Sequence, residues 1–287
     1  MQEKSWKPRQ RRERVIPMTF RTDLALENTK PAQQQRIEKD GCTVTRIRDG
    51  GKTYVTMEVR AISDNIDANR SLLDLIAQEL QELLPKEGPV LAAGLGNRAV
   101  TPDALGPLTS EKVLATRYIK GELARVTGLE GLRPVAVVSP GVLGCTGMEA
   151  FEVLKAIVAE IKPAAVIAVD ALAARSPSRL GCTVQIGSGG ISPGAGVGNN
   201  RPRIDESTLG VPVVSMGIPT VVDAVTLAGD LTGGDCPEEK VAPRGEPMMV
   251  TPREIDLIIS RGSRLLGMGI NCALNPSLSV EEFDQLT

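Results

Sequence analysis

The pattern of apolar and polar positions changes character near residue 89. Before it, residues 42–48 and 53–60 alternate apolar and polar around Asp49-Gly50-Gly51, which predicts a β-hairpin. Leucine and isoleucine then recur at helical spacing from Leu72 to Leu84, and Pro85 ends that predicted helix. After it, short apolar runs alternate with helical segments. The predicted strands are 89–95, 133–139, 164–170, 181–186 and 211–216, and the predicted helices are 108–126, 147–161, 219–231 and 252–272.

Nearly continuous apolar strands between helices are typical of a parallel sheet that is covered on both faces. The sequence therefore predicts an α/β fold with three layers, α/β/α, around a mostly parallel central sheet. The hairpin and first helix form an N-terminal extension. We expect three regions: a basic leader over 1–23, the hairpin and helix over 24–88 packed on the core, and an α/β catalytic core over 89–287.

Two of the predicted helices carry start signals. Thr146-Gly147-Met148-Glu149 matches a capping box, and Thr251-Pro252-Arg253-Glu254 matches one with proline at the first helical position.

Composition excludes several classes of function. Aromatic residues make up 2% of the 287 residues, too few for a surface that stacks nucleic-acid bases. The net charge of −2 gives no general attraction to phosphates or anionic lipids, so we expect neither nucleic acid nor membrane as a partner. The five cysteines show no C-x-x-C spacing, which argues against zinc and for free thiols in a reducing, cytoplasmic compartment. No metal and no cofactor is predicted, and no signal peptide or membrane span is recognisable.

The chain has no histidine, so acid–base chemistry near neutral pH must use carboxylates, thiols or lysines. Asp103 and Asp170 each follow an apolar run that is predicted to be a strand. In open α/β sheets, ligands bind at the carboxyl ends of the strands. Either one could instead be a helix cap or complement a helix dipole. If both face one cleft, they would share a proton. One carboxyl could then activate water while the other protonates a leaving amine.

Two glycine-rich segments are weaker signals. Gly94-Leu95-Gly96-Asn97 lacks the third glycine of a dinucleotide fingerprint, because that position is Ala99. The stretch 187–200 is either a flexible connection or a run of backbone N–H groups that lines a cleft. The residues expected to line or support the site are Asn97, Thr146 and Gly196. For Thr146, Asp205 and Asp223, a capping or surface role is the simpler interpretation.

Several motifs resemble the germination protease (spore protease) family of endospore-forming bacteria, from about Arg21 to about Leu274. They include Gly94–Asn97 with Thr101–Pro107, Pro140–Gly147, Val169–Arg175, Pro193–Asn199, Leu209–Val213, Pro219–Ala224 and Met249–Pro252.

The resemblance implies an endopeptidase that degrades small acid-soluble spore proteins in the germinating spore. It also implies a zymogen that removes its own propeptide, a homotetramer, and a location in the forespore and spore core. The family's two proposed catalytic aspartates match Asp103 and Asp170. The fold is similar to the hydrogenase-maturation peptidases, which use acidic residues and a histidine around nickel. That metal site cannot be complete in a chain without histidine.

The basic stretch 1–20 is either a solvated tail or a removable leader. Arg21-Thr22-Asp23-Leu24-Ala25-Leu26-Glu27 resembles the family's self-processing site, so we expect cleavage between Asp23 and Leu24. The segment 232–247 is shorter than is usual in the family, which puts in doubt any role of the longer segment. Two alternatives stay open: a metal-dependent peptidase similar to the hydrogenase-maturation enzymes, and a binding module for a small ligand without catalysis.

Overall fold

The computed structural model describes residues 21–30, 33–39, 41–64, 70–198, 201–233, 241 and 247–287. The basic leader 1–20, Cys236 and most of the 232–247 loop lie outside these residues. Within them, nine strands form one sheet: β1 (Gln34–Lys39), β2 (Cys42–Asp49), β3 (Lys52–Glu58), β4 (Val90–Gly94), β5 (Val135–Val138), β6 (Ala165–Ala174), β7 (Thr183–Gly187), β8 (Val213–Asp223) and β9 (Met249–Val250).

The strand order is β1-β2-β3-β7-β8-β6-β4-β5, with β9 paired to β8. Strands β5, β4, β6 and β8 are parallel neighbours, as predicted for the core. The other pairs are antiparallel, so the sheet as a whole is mixed. The predicted hairpin forms as β2 and β3, and β3 pairs with β7, so the hairpin continues the central sheet.

Ten α-helices surround the sheet in the described residues. They are α1 (Ala25–Asn28), α2 (Arg70–Leu83), α3 (Leu105–Ser110), α4 (Gly121–Thr127), α5 (Leu143–Thr146), α6 (Ala150–Ile161), α7 (Glu206–Leu209), α8 (Ala224–Thr232), α9 (Ile255–Leu274) and α10 (Val280–Leu286). None of them combines the length and the apolar character needed to cross a lipid bilayer.

Alternation along the strands divides the core into two layers. Val90 and Ala92 of β4 belong to one apolar cluster, which holds residues of α2, α3 and α9. Leu91 and Ala93 belong to another, with Leu154 of α6. Since successive side chains of a strand point to opposite faces, helices cover both faces of the sheet. The three-layer α/β/α architecture is therefore confirmed.

Several predicted boundaries are wrong. Strand β6 runs on to Ala174, and β8 runs to Asp223, so the helix predicted over 219–231 begins only at Ala224. The helix predicted over 108–126 is two short helices, α3 and α4. The side chain of Asn271 explains this break. It accepts a hydrogen bond from Leu114 N and donates one to Lys112 O, which takes backbone groups that a continuous helix would use.

Both predicted capping boxes are also displaced. Helix α6 is capped by Glu149, whose backbone N–H donates to the Glu152 carboxylate, and Thr146 lies at the end of α5 instead. Helix α9 begins at Ile255 without a side-chain cap. The Thr251 hydroxyl donates to Thr220 O at 2.9 Å, so it joins the segment before α9 to β8 rather than capping the helix.

Candidate active site

A cleft opens where β4 stops and β6 continues. Pairing between the two strands ends with Gly94 and Val169 in the described residues, whereas β6 remains paired with β8 up to Ala174. The cleft has a volume of about 580 Å³, and its lining includes three aspartates, Asp23, Asp103 and Asp170. The sequence had indicated that Asp170 ends a strand. In the structure it lies inside β6. It is the end of the neighbouring strand that brings it to the cleft.

The G-x-G motif after β4 allows close packing of the segment that carries Asp103. A β-carbon on Gly94 would lie 2.1 Å from the backbone oxygen of Gly106. Gly96 has a φ of +111°, and a β-carbon there would lie 2.1 Å from the backbone oxygen of Asp103. The Thr220 hydroxyl of β8 also donates to Pro102 O at 2.7 Å. These contacts hold the 3₁₀ turn Thr101–Asp103 against the end of the sheet.

The environments of Asp103 and Asp170 differ. The Asp103 carboxylate accepts the Asn97 backbone N–H at 2.7 Å; burial raises its pKa, and this hydrogen bond partly opposes the rise. Asp170 is only 5% exposed. Burial raises its pKa well above the ordinary value, and the negative charges of Asp103 and Asp23 raise it further. Burial and the two neighbouring charges therefore favour the protonated form of Asp170 more strongly than burial favours that of Asp103.

Asp23 enters the cleft from the N-terminal segment. Its backbone N–H donates to Ala173 O at 2.9 Å, and its carboxylate accepts Ala173 N–H at 2.8 Å. The carboxylate also accepts a backbone hydrogen bond from Gly196, and burial raises its pKa. A β-carbon on Gly196 would lie 2.3 Å from a carboxylate oxygen of Asp23. The glycine-rich stretch thus supplies a backbone N–H at a position where only glycine fits.

The residues that follow Asp23 are held as firmly. Leu24 is fully buried, in a cluster with Leu172, Ala174 and Val222. The buried Glu27 carboxylate accepts the backbone N–H groups of Arg175 at 2.7 Å and Ser176 at 3.0 Å.

Three further contacts hold the same segment. The Arg179 guanidinium lies 3.5 Å from the Glu27 carboxylate. The Thr22 hydroxyl donates to Glu27 and accepts Leu24 N–H. On the other side, Arg21 lies 3.6 Å from the Asp223 carboxylate. Charged or hydrogen-bonding groups therefore contact the segment on both sides of the Asp23–Leu24 bond.

Gln185 of β7 contacts both sides of the Asp23–Leu24 peptide bond. Its side-chain Nε2 donates to Asp23 O at 3.0 Å, and its Oε1 accepts Ala25 N–H at 2.7 Å. Sequence reasoning missed this residue and the role of Glu27. The available signal was a single amide side chain inside the apolar run Thr183–Gly187.

The other candidates have identifiable roles. Asn97 supports Asp103 through its backbone, and its side chain accepts Ala99 N–H. Thr146 is exposed, and its hydroxyl bonds to the backbone of Val142 and Met148.

The two second-rank aspartates are helix caps. Asp205 caps α7, and hydrogen bonds with Arg203 and Ser207 hold its pKa far below the ordinary value. Asp223 caps α8 by accepting Thr226 N–H. Within the described ranges, no three acidic or cysteine side chains are grouped as metal ligands.

A family model described as germination protease matches residues 3–233. The germination protease of Caldanaerobacter subterraneus subsp. tengcongensis is 37% identical over 322 aligned residues, covering 95% of this chain and 99% of that protein. That of Clostridium acetobutylicum is 38% identical, with coverage of 93% and 98%. The first alignment is longer than the chain, so the relative contains residues that this chain lacks.

Among solved structures, a [NiFe] hydrogenase maturation protease, HycI from Thermococcus kodakarensis KOD1, aligns with a TM-score of 0.38 and 16% identity. The alignment covers 67% of this chain and 98% of that protein. The family model and the sequence relatives extend over most of the chain. The chain therefore belongs to the germination protease family, a family of peptidases of spore germination.

Proposed function

We propose that the chain is an endopeptidase, made as a zymogen, that first cleaves its own Asp23–Leu24 bond. It then cleaves small acid-soluble spore proteins in the spore core, as a homotetramer. The observation that carries the proposal is the position of Asp23. This residue lines the same cleft as Asp103 and Asp170, with its backbone and carboxylate both bound to Ala173.

The different environments of Asp103 and Asp170 suit them to different roles in the hydrolysis, one as base and one as acid. Asp103, which accepts a backbone N–H, is the base that takes a proton from water. The water oxygen attacks the carbonyl carbon of Asp23. Asp170, whose protonated form is favoured by burial, donates its proton to the nitrogen of Leu24, and the C–N bond breaks. The products are a new carboxylic acid on the Asp23 carbonyl carbon and a free amine at Leu24. Asp103 is left protonated and Asp170 ionised, and proton exchange with water restores both. General acid and general base catalysis contribute about 10²- to 10⁴-fold each.

The groups that bind the segment around the Asp23–Leu24 bond would also bind substrates of a similar sequence. Backbone N–H groups from Ala173 and Gly196 bind an acidic side chain before the cleaved bond, and a closed apolar pocket binds a leucine after it. The backbone N–H groups of Arg175 and Ser176, which bind Glu27, would bind a second acidic side chain further along the substrate. Spore proteins implied by family membership would enter the cleft in the same conformation once the leader and residues 24–28 have left it.

The direct test is incubation of the purified full-length chain, followed by N-terminal sequencing of the product. We expect a chain that begins at Leu24, and no processing in Asp103→Asn or Asp170→Asn. Processing in both variants would overturn the carboxylate mechanism. Loss of processing in the wild type upon chelation would favour the metal-dependent alternative. Cleavage of neither the leader nor a spore protein would favour a binding module.

A further inference from the structure

Gln185 and Asp170 flank one strip of the sheet surface. Gln185 is in register with Gly217 of β8, and Gly217 is in register with Asp170 of β6. Residues in register on neighbouring strands point to the same face. Consistent with this, a β-carbon on Gly217 would lie 2.8 Å from Leu172 Cγ, two residues along β6 from Asp170. With strands about 4.8 Å apart, the two polar residues stand roughly 10 Å apart across a glycine.

No side chain fits at Gly217. A β-carbon there would lie 2.3 Å from the backbone oxygen of Asp170. The Leu172 side chain lies over this glycine, since its Cγ would be 2.8 Å from that β-carbon. The segment that carries the Asp23–Leu24 bond spans from β7 to β6, since it bonds to Gln185 on one side and to Ala173 on the other.

The two hydrogen bonds of Gln185 fix the orientation of its amide. A carbonyl oxygen can only accept and a backbone N–H can only donate, so Nε2 faces Asp23 O and Oε1 faces Ala25 N. The oxygen that receives the amide proton belongs to the bond that is cleaved. Gln185 is 8% exposed, so this hydrogen bond is formed largely out of water.

We propose that Gln185 is a further catalytic residue, whose side-chain N–H stabilises the negative charge that develops on Asp23 O during hydrolysis. When water adds to the carbonyl carbon, the oxygen gains charge and the hydrogen bond strengthens. A pre-positioned donor of this kind lowers the barrier without reorganising. In a bound spore protein, the same N–H would meet the carbonyl oxygen of the cleaved bond. The inference rests on the proposed self-cleavage of Asp23–Leu24.

The alternative role for Gln185 is to hold the segment through its bond to Ala25 N–H. Gln185→Glu separates the two roles. The glutamate keeps an acceptor for Ala25 N–H but, when ionised, has no proton for Asp23 O and repels the developing charge. A holding role predicts a rate near that of the wild type. A catalytic role predicts a large loss that shrinks at acid pH, where the protonated carboxyl can donate.

The experiment measures first-order rate constants for appearance of the Leu24 N-terminus in full-length wild type, Gln185→Glu and Gln185→Ala. Rates are taken across pH as ratios to the wild type, and the thermal midpoint of each variant checks its fold. We expect both variants to be slower by about 10²- to 10³-fold near neutral pH. We also expect the ratio for Gln185→Glu to rise as pH falls.

Folded Gln185→Ala or Gln185→Glu that processes within threefold of the wild type would overturn the inference. So would a loss in Gln185→Glu whose ratio to the wild type does not change with pH. If Gln185→Glu does not fold, hydrogen exchange of residues 21–30 in Gln185→Ala separates the two roles: slower cleavage with unchanged exchange supports the catalytic role, and slower cleavage with faster exchange overturns it. The proposed function fails separately, if the wild type itself never yields a chain that begins at Leu24.

Discussion

Asp23 and Ala173 exchange two hydrogen bonds across 150 residues of sequence. The backbone N–H of Asp23 donates to Ala173 O, and the N–H of Ala173 donates to the Asp23 carboxylate. This pairing uses the part of β6 that extends beyond the end of β4, next to Asp170. Under the proposed function, the segment to be cleaved is thus part of the folded chain, and its self-cleavage would be a first-order reaction open to direct measurement.

The rate of self-cleavage should depend on pH as a bell. The proposed mechanism needs Asp103 ionised and Asp170 protonated, so the rate rises through the pKa of Asp103 and falls through that of Asp170. Burial raises both pKa values, and Asp170 is also raised by Asp103 and Asp23. We expect the acid limb above the ordinary aspartate value of about 3.9, and the alkaline limb well above it. Rate constants over a pH series test this, and a profile without an alkaline limb would contradict the assignment of the acid.

Replacement of the ionisable Asp170 carboxyl by an amide should stabilise the fold at neutral pH. A carboxyl whose pKa is raised in the folded state destabilises it progressively, as pH rises from the unfolded pKa to the folded one. Each unit of raised pKa corresponds to about 1.4 kcal/mol. Asp170→Asn should therefore unfold at higher denaturant concentration than the wild type near pH 7.

The gain should vanish near pH 3, where the wild-type carboxyl is protonated in both states. Asp49→Asn, at the exposed end of β2, is the matched control and should give no comparable gain. Denaturant midpoints at the two pH values decide the matter. An equal stabilisation at both would mean that the effect does not come from ionisation of Asp170.

The sequence was sufficient to predict the layers of the fold, because apolar periodicity carries that information. It also singled out Asp103 and Asp170, which line one cleft, while their catalytic role stays a prediction. It was misleading at Asp170, where a polar residue was interpreted as the end of a strand. The following Ala171–Ala174 continue β6, and a carboxyl side chain can lie inside this strand because the neighbouring strand β4 stops there.

The partners of the cleavage segment could not be predicted. Gln185 and Arg175 lie about 150 residues or more from the groups they bind, and no local pattern records which amide meets which carbonyl. Gly196 was predicted to line the cleft, but its contact with Asp23 depends on tertiary structure in the same way.

Gly196→Ala should impair self-cleavage without harming the fold. The new β-carbon would meet the Asp23 carboxylate at 2.3 Å and the Ala173 side chain at 2.7 Å, so Asp23 must move. A displacement of about 1 Å from the reactive geometry costs on the order of 100-fold in rate. Gly144→Ala, on α5 with open space around it, is the control and should process at the wild-type rate. Equal rates for the two variants would show that the Asp23 contact does not matter.

Glu27→Ala should release the segment that follows the cleaved bond. Its carboxylate accepts two backbone N–H groups and lies beside Arg179, and a hydrogen bond to a charged group contributes about 1.5–3 kcal/mol. Loss of one such bond shifts the balance between docked and released segment by roughly ten- to hundredfold. We expect faster hydrogen exchange in peptides covering residues 21–30, together with slower cleavage at Leu24. Glu27→Gln keeps an acceptor oxygen and should be less affected. Glu122→Ala, on the exposed face of α4, should change neither quantity. Slower cleavage of Glu27→Ala with unchanged exchange would mean that Glu27 acts on the reaction in some way other than by holding the segment.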